Sequence, residues 1–136
     1  MPDPDATALI RKAMPLCESL GIAAESFSKD EVVLSIEWLP ELCTTAGMMH
    51  GGVLMALADS AGGAAASLNL PADASGTSTI ESKTNFFGSV KRGTVTATAR
   101  PLHKGSTTIV VETEVHAGKR LVAKVTQTQA VLTPRE

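Results

Sequence analysis

A histidine, two glycines and a more distant aspartate form the most informative segment of the sequence, which begins His50-Gly51-Gly52. The glycines open an apolar stretch that predicts a helix over Gly51–Leu68. Its first backbone N–H groups, at the positive end of the helix dipole, are then open to an oxygen atom. Asp59 follows His50 by nine positions (59 − 50 = 9) and is the only charged residue of this helix. The pattern indicates an oxyanion hole on the same element as a carboxylate that can act as base or nucleophile.

Small residues surround Asp59 on the predicted helix. Positions −4, +3, +4 and +7 from it are Met55, Gly62, Gly63 and Ala66, and side chains at these spacings share one face of a helix. We expect a buried carboxylate there, with a thin substrate or another backbone lying against the two glycines. The alternative is a structural aspartate that bonds a Ser or Thr on a neighbouring strand.

The composition of the chain restricts the classes of partner that the protein can bind. The chain has 136 residues, with 12 Lys+Arg, 14 Asp+Glu and a net charge of −2. This length is enough for one domain with a core that needs no disulfide or metal. The small, mixed charge predicts no nucleic-acid partner, because proteins that bind nucleic acids carry a basic surface. Cys17 and Cys43 match neither a disulfide framework nor the paired spacing of a zinc site, so we expect no metal.

The expected cellular compartment follows from two features, the N-terminus and the longest apolar stretch. The N-terminus lacks the charged and apolar regions of a signal peptide. The apolar stretch from residue 53 to about 68 contains Asp59 and is shorter than the roughly 20 apolar residues of a membrane span. We expect a cytoplasmic protein with no membrane partner.

The N-terminal half of the chain predicts a broken helix followed by a strand. Apolar residues recur at helical spacing over residues 6–20, where Asp5 or Thr7 could cap the start and Gly21 the end. Pro15 is expected to kink or split this helix. Residues 31–38 alternate apolar and polar side chains and predict a strand with one buried face.

The C-terminal half is rich in Thr and Val and predicts four strands separated by glycine-containing turns. The strands are residues 77–87, 94–103, 107–116 and 121–132. Three successive hairpins would make an antiparallel meander. The fold class is therefore α+β, with a long central helix wrapped by an antiparallel sheet of five or six strands. We expect a single domain over residues 1–136, with an N-terminal helical segment at 1–30 and the core at 32–132. Because the central helix is apolar all round, we also expect at least a homodimer.

The sequence resembles a known family in several of these segments. The strings HGGVLMALADSAGGAAA, TSTIESKTNFFGSVKRGTVTATARPLHKGSTTIVVETEV and GKRLVAKVTQTQAVL are similar to the hotdog-fold acyl-CoA thioesterases of the 4-hydroxybenzoyl-CoA thioesterase superfamily. The phenylacetic-acid-degradation branch is the most similar one. The resemblance covers about residues 32–132. It implies a dimer joined edge to edge by its sheets, often paired again into a tetramer, with active sites between subunits.

The resemblance also implies roles for individual residues. Asp59 would be the catalytic carboxylate, as nucleophile or general base, and the Gly51 N–H would polarise the thioester oxygen. His50 would support this loop and the thioester end of the ligand, or be only a residue of the helix N-terminal turn. The family usually has Asn or Gln six residues before the histidine, where this chain has Thr44. Thr44 reaches less far towards a water or a carbonyl.

The resemblance further implies contacts to the attacking water, to coenzyme A and to the acyl group. A strand residue of the opposite subunit, Thr79 or its neighbour Ser78, would orient the water. The turn formed by His103, Lys104, Gly105, Ser106 and Thr107 would contact the pantetheine and the nucleotide. The basic pair Lys91 and Arg92 is a weaker candidate for this contact. The acyl pocket and its rim would draw on Leu42, Met48, Met49, Gly52, Met55, Phe86 and the 62–66 face, which includes Gly62 and Gly63.

The function that these features predict is a cytoplasmic acyl-CoA thioesterase. It would hydrolyse an aromatic or medium-chain acyl-CoA to the free acid and CoA, with coenzyme A only as part of the substrate and without a metal or redox cofactor. Two alternatives come from the same fold. One is an acyl-CoA-binding module without catalysis, and the other is a hotdog hydratase or dehydratase.

Overall fold

The structure, a computed structural model, describes residues 1–135. Residues 1–135 form three helices and six strands, together with two short 3₁₀ turns before the long helix. In chain order the elements are α1 (Pro4–Ala13), α2 (Pro15–Leu20), β1 (Ala23–Phe27), β2 (Val32–Glu37), α3 (Gly51–Leu68), β3 (Gly76–Phe86), β4 (Thr94–Lys104), β5 (Thr108–Ala117) and β6 (Arg120–Leu132). The six strands make one antiparallel sheet that packs on α3. The α+β class, the long central helix and the strand count are as the sequence predicts.

The order of strands across the sheet is β1-β2-β4-β5-β6-β3. The hairpins β4–β5 and β5–β6 are present as predicted, but the predicted hairpin between β3 and β4 is wrong. β3 pairs with β6 at one edge of the sheet, while β4 pairs with β2 and β5. Alternation along a strand fixes which of its faces is buried but does not choose its partner. The meander is therefore limited to β4, β5 and β6.

The N-terminal segment divides at Pro15 as expected. The helix cap is Asp3, whose Oδ1 accepts the N–H groups of Asp5 and Ala6 at 3.0 and 3.1 Å, so the predicted caps Asp5 and Thr7 are wrong. Gly21 ends α2 with a φ of 71°, which glycine adopts without steric cost. The sheet also begins earlier than the sequence indicated, because the unpredicted strand β1 pairs with β2.

The helix α3 has one buried face and one open face. Its buried side contacts β2, β3, β4, β5 and β6, with Leu54 and Leu57 in the core. On the other side, Met55 and Asp59 are exposed in the single chain. The prediction of a buried Asp59 is therefore wrong for this chain alone. By length and composition alone, α3 could cross a membrane, but in this fold it is the central helix that packs on the sheet.

Candidate active site

The carboxylate of Asp59 is held by two hydrogen bonds. Thr79 Oγ1 donates to Asp59 Oδ1 over 2.8 Å, and Gln127 Nε2 donates to the same oxygen over 3.1 Å. Asp59 Oδ2 has no hydrogen-bond partner within residues 1–135. The side chain is thus anchored through one oxygen and presents the other to a ligand.

Thr79 belongs to the same chain as the aspartate that it contacts. The expectation that Thr79 acts from the opposite subunit is therefore wrong, because the loop after α3 returns β3 along the same helix. A β-bulge at Ile80, directly after Thr79, interrupts the pairing of β3 with β6, and bulges change the direction in which neighbouring side chains point. Ser78 lines the adjoining cavity and does not contact Asp59.

Two glutamines of β6 belong to the site, although the sequence analysis did not identify them. Gln127 contacts Asp59, and Gln129 Nε2 donates to Thr79 Oγ1 over 2.6 Å. The signal was present in the alternation of β6, because residues 123, 125, 127 and 129 share the inward face and a glutamine there needs a polar partner.

Gly62 and Gly63 differ in the space that surrounds them. A Cβ on Gly62 would lie 1.9 Å from Gln127 Oε1. The space at Gly62 is therefore filled by the Gln127 side chain, whereas the sequence analysis predicted a substrate or another backbone there. A Cβ on Gly63 would meet nothing within 4 Å, and Gly63 lines the cavity next to Asp59. Only Gly63 therefore has the space for a ligand that the sequence analysis assigned to both.

A cavity of about 480 Å³ opens beside Asp59, between α1, α3 and β3. Its polar side is formed by the carboxylate and by hydroxyl and amide groups around it. Its apolar side is formed by Leu9, Ile10, Ala13, Met14, Phe27, Ala64 and Leu68. Asp59 is the only charged residue that lines it. The shape and lining are those of a small-molecule site with a few polar groups at one end.

Most residues predicted for the acyl pocket do not line this cavity in the single chain, and the predicted pocket between subunits stays a prediction. Met49 is 4% exposed and belongs to the core, and Leu42 and Met48 lie in the turn before α3. Of the predicted 62–66 face, Gly63 and Ala64 line the cavity. The sequence analysis missed the walls from α1 and β1 because nothing in a local pattern indicates which distant element packs next to Asp59.

The N-terminus of α3 is capped by His50. The Gly52 N–H donates to His50 Nδ1 over 2.8 Å, so the proton of the neutral ring is on Nε2. A Cβ on Gly52 would lie 2.9 Å from that Nδ1, which explains the second glycine. The Gly51 N–H has no hydrogen-bond partner within residues 1–135. Gly51 is thus the free donor of the first turn, as the oxyanion prediction requires.

Gly51 and Asp59 cannot reach one small group within a single chain. They are eight positions apart on one helix (59 − 51 = 8), which is about 12 Å along its axis. Their neighbours on β3 differ accordingly, since the ring of Phe86 lies 3.2 Å from the Cβ position of Gly51 and Thr79 bonds Asp59. The predicted oxyanion donor and the predicted catalytic carboxylate are therefore too far apart within one chain to contact the same carbonyl group.

The turn before α3 contains Thr44 and Met48. The Thr44 N–H donates to Met48 O over 2.8 Å, and a bridge joins Cys43 to Met49. Thr44 is exposed, and its hydroxyl has no hydrogen-bond partner in the described chain. Because the His50 N–H also bonds Leu42 O, this turn folds against the start of α3. Thr44 is therefore on the Gly51 side of the site.

The predicted coenzyme A turn connects β4 to β5. Its residues His103, Lys104, Ser106 and Thr107 are exposed, and the Gly105 N–H bonds Thr108 O over 2.8 Å. One row across the sheet joins Lys104, Ile109, Gln129 and Thr79. At about 4.8 Å per strand, the row places Lys104 roughly 14 Å from Thr79. Lys91 and Arg92 lie in a depression at the opposite end of β4 and β5.

Neither cysteine has the surroundings of an activated nucleophile. Cys17 is fully buried, and burial raises the pKa of its thiol. Cys43 Sγ donates to the Leu39 carbonyl over 3.4 Å, a contact that requires the thiol in its protonated form. A reactive thiolate needs a cationic partner that lowers its pKa, so Asp59 remains the candidate for the chemistry.

The sequence matches known proteins over most of its length. The thioesterase superfamily matches residues 46–124, which include both Gly51 and Asp59. A 1,4-dihydroxy-2-naphthoyl-CoA hydrolase of Listeria monocytogenes is 35% identical over 104 residues, 75% of this chain and 82% of that protein. A protein of Saccharolobus solfataricus named as an esterase is 35% identical over 107 residues, 78% of this chain and 74% of that protein.

Solved structures share the fold. A thioesterase of Pseudomonas aeruginosa superimposes with a TM-score of 0.87 at 26% identity, over 98% of this chain and 96% of that one. A thioesterase of Haemophilus influenzae gives a TM-score of 0.83 at 26% identity, over 93% and 92% of the two chains. These similarities confirm the resemblance to hotdog thioesterases, and the phenylacetic-acid-degradation branch stays a prediction.

Proposed function

Because this chain belongs to the thioesterase superfamily and is a thioester hydrolase, we propose that it hydrolyses an acyl-CoA with Asp59 as the reacting carboxylate. The observation that carries the proposal is the anchoring of Asp59 through Oδ1 at the mouth of an otherwise uncharged cavity. A carboxylate fixed in this way can approach a thioester with its second oxygen.

The hydrolysis can follow two mechanisms, which differ in the role of Asp59 Oδ2. As a general base, it takes a proton from water while the water oxygen adds to the thioester carbon. As a nucleophile, it adds to that carbon itself and forms a mixed anhydride, which water then hydrolyses. In both forms the carbon–sulfur bond breaks, the sulfur of coenzyme A leaves and takes up a proton, and the acyl group becomes a carboxylic acid. Neither form needs a metal or a redox cofactor.

The oxyanion donor is supplied by a second copy of the chain. Gly51 of one chain cannot serve the carbonyl at its own Asp59, because about 12 Å of helix separates them. A two-fold axis that sets two α3 helices antiparallel brings Gly51 of each copy to Asp59 of the other. The apolar side chains exposed on and next to β3 support this pairing, because a long apolar edge strand favours association with another strand. They are Ile80, Phe86 and Phe87, which are 64%, 49% and 59% exposed.

The acyl group enters the cavity between α1, α3 and β3. Its far wall is apolar, so we expect an uncharged aromatic or medium-chain acyl group. The name of the Listeria relative, a naphthoyl-CoA hydrolase, favours the aromatic class. Phenylacetyl-CoA and related aryl thioesters are therefore the first substrates to test, in a protein that we place in the cytoplasm as a dimer or a dimer of dimers.

The coenzyme A moiety extends towards the turn at Lys104. A cation there attracts the phosphates, so Lys104→Ala is expected to raise KM for the acyl-CoA about two- to fivefold with kcat unchanged. Lys91→Ala is the matched control, because Lys91 is also exposed but lies at the other end of the strands. The opposite result, a higher KM only for Lys91→Ala, would place the nucleotide in the depression that contains Lys91.

The experiment that tests the function measures release of the coenzyme A thiol from a panel of acyl-CoAs. The panel contains phenylacetyl, hydroxybenzoyl, short-, medium- and long-chain thioesters, and each is assayed with wild type and Asp59→Asn. The amide keeps the shape of the side chain and removes its charge. We expect hydrolysis of an aromatic or medium-chain member, and a kcat about 100- to 10,000-fold lower for Asp59→Asn.

Three outcomes would contradict parts of the proposal. A folded Asp59→Asn variant with the wild-type rate would mean that another group does the chemistry. Binding of acyl-CoA without any turnover by wild type would favour an acyl-CoA-binding module. Addition of water to an unsaturated acyl-CoA, with the thioester left intact, would favour a hydratase.

A further inference from the structure

Two glutamines lie on the inward face of β6, among aliphatic side chains. Gln127 is 0% exposed and Gln129 is 1% exposed, and their neighbours on the same face are Ala123 and Val125. Buried carboxamides are uncommon in a core, and each must find hydrogen-bond partners to offset the cost of losing water. What these two amides contact therefore indicates why they are there.

Gln127 acts directly on the carboxylate. Its Nε2 lies 3.1 Å from Asp59 Oδ1, the same oxygen that accepts the Thr79 hydroxyl over 2.8 Å. An ionised carboxylate can only accept hydrogen bonds, so the amide must present its NH₂ group and the hydroxyl must donate its proton. Both donors hold one oxygen and leave Oδ2 unengaged.

Gln129 acts on the same carboxylate through Thr79. Since the Thr79 proton is given to Asp59, the Thr79 oxygen can only accept, and Gln129 Nε2 donates to it over 2.6 Å. The Gln129 carbonyl then faces the Thr77 hydroxyl, whose single proton has two acceptors, Gln129 Oε1 at 3.0 Å and Ala130 O at 2.9 Å. From the ionised carboxylate outward, the proton position of Thr79 and the amide orientation of Gln129 thus follow one from the other.

The position of Gln127 has a cost that a purely structural residue would avoid. Its Oε1 is buried and has no hydrogen-bond partner within residues 1–135. An unpaired buried carbonyl is unfavourable. The amide also fits only because residue 62 is glycine, since a Cβ there would lie 1.9 Å from Gln127 Oε1. An aliphatic side chain would avoid the unpaired carbonyl, so the useful part of Gln127 is its NH₂ group.

We propose that Gln127 and Gln129 are positioning residues that orient Asp59 for the reaction, Gln127 directly and Gln129 through Thr79. They fix Oδ1 and thereby direct Oδ2 into the cavity where the thioester binds. This inference rests on the proposed function only in taking Asp59 as the reacting group, because the hydrogen bonds themselves do not depend on the substrate.

The kinetic test compares Gln127→Met with Gln129→Met. Methionine has a similar length and no NH₂ donor. We expect kcat to fall about ten- to a hundredfold for Gln127→Met and less for Gln129→Met, with KM changed less than about threefold. Thr113→Val is the matched control, because Thr113 is also 0% exposed on the inward face of the sheet and its hydroxyl has no partner in the described chain. Its kcat is expected to equal that of wild type.

A double-mutant cycle separates positioning from general damage to the core. If Gln129 acts through Thr79, then Gln129→Met lowers kcat in wild type but not in a Thr79→Val background. Equal effects of Gln129→Met in both backgrounds would overturn the assignment for Gln129. Equal loss of kcat for Gln127→Met and Thr113→Val would overturn that for Gln127.

A measurement without turnover separates failure of this inference from failure of the proposed function. The side-chain NH₂ resonances of Gln127 and Gln129 are recorded by ¹⁵N NMR in wild type, Asp59→Asn and Thr79→Val. We expect the Gln127 resonance to move in Asp59→Asn and the Gln129 resonance to move in Thr79→Val. Resonances that do not move would overturn the inference even in an active enzyme. Resonances that move in a protein without hydrolase activity would support the hydrogen bonds while the function fails.

Discussion

His50 has two roles at the start of α3 that can be separated by substitution. Its Nδ1 caps the helix by accepting the Gly52 N–H. His50→Ala removes the cap and is expected to lower the free energy of unfolding by about 1 kcal/mol, whereas His50→Asn, a good N-cap residue, is expected to retain it. Chemical denaturation of the two variants measures the difference.

The activities of the same two variants test whether His50 also takes part in the reaction. If His50 is only a cap, His50→Asn keeps the wild-type kcat. A loss of kcat in His50→Asn at wild-type stability would show that the exposed ring contacts the substrate through the Nε2–H. The two readouts thus distinguish the interpretations that the sequence left open.

Gly51 permits a test that removes a single N–H group. It occupies the first position of α3, where proline is well tolerated. His50 has φ −61° and ψ 132°, a conformation that is compatible with a following proline. Gly51→Pro therefore removes the proposed oxyanion donor and keeps the helix start, and we expect kcat to fall about 100- to 1000-fold.

The control for this substitution is Gly51→Ala. It keeps the N–H and adds the same Cβ next to the Phe86 ring. An equal loss of kcat in both variants would assign the effect to crowding against Phe86. A loss only in Gly51→Pro assigns it to the N–H.

At the scale of elements, α3 and β6 approach each other closely at one glycine. Gly62→Ala puts a Cβ against the buried Gln127 amide, and we expect the free energy of unfolding to fall by about 1–3 kcal/mol. Gly63→Ala, one position further, meets open space and is expected to raise it by up to about 1 kcal/mol through helix propensity. Thermal unfolding of the pair checks this, and equal melting temperatures would contradict the close contact.

The N-terminal elements α1 and β1 matter for the proposed choice of substrate. α1 and β1 form the apolar wall of the cavity, opposite the carboxylate on α3. Leu9 and Met14 are part of this wall, and they lie outside the 32–132 segment in which the sequence resemblance was found. If the acyl group occupies this cavity as proposed, its selection depends partly on elements outside the resembling segment.

At the scale of the whole molecule, the proposed site shared between two chains predicts complementation. Gly51→Pro and Asp59→Asn are each expected to be inactive, but a mixed dimer contains one site with an intact Gly51 and an intact Asp59. Random exchange of equal amounts makes half of the dimers mixed, each with one working site of two, so about a quarter of wild-type activity should return. The two variants are unfolded together, refolded and assayed.

Two results bear on this prediction. No recovery of activity, from dimers that are shown by mass to be mixed, would mean that the two groups act within one chain or not together. A monomeric wild type would remove the basis for the shared site and leave the exposed β3 edge to another partner.

The sequence by itself determined most of the elements and the two groups proposed for the reaction. An apolar stretch after two glycines indicated α3, alternation indicated β2, and Thr- and Val-rich segments between glycine turns indicated β3 to β6, because these patterns are local properties of the chain. The segment from His50 to Asp59 identified the donor-rich helix start and the carboxylate for the same reason, since both are properties of one helix. β1 was missed because the segment AAESF is short and contains few residues that favour strands.

Only the tertiary structure decided which elements meet. The partner of β3, the intrachain contact of Thr79 with Asp59, the two glutamines of β6 and the walls from α1 all depend on contacts between segments that are distant in sequence. Local periodicity fixes the face of an element and not its neighbour. The carboxylate was therefore predictable from the sequence, whereas the hydrogen bonds that orient it required the folded sheet.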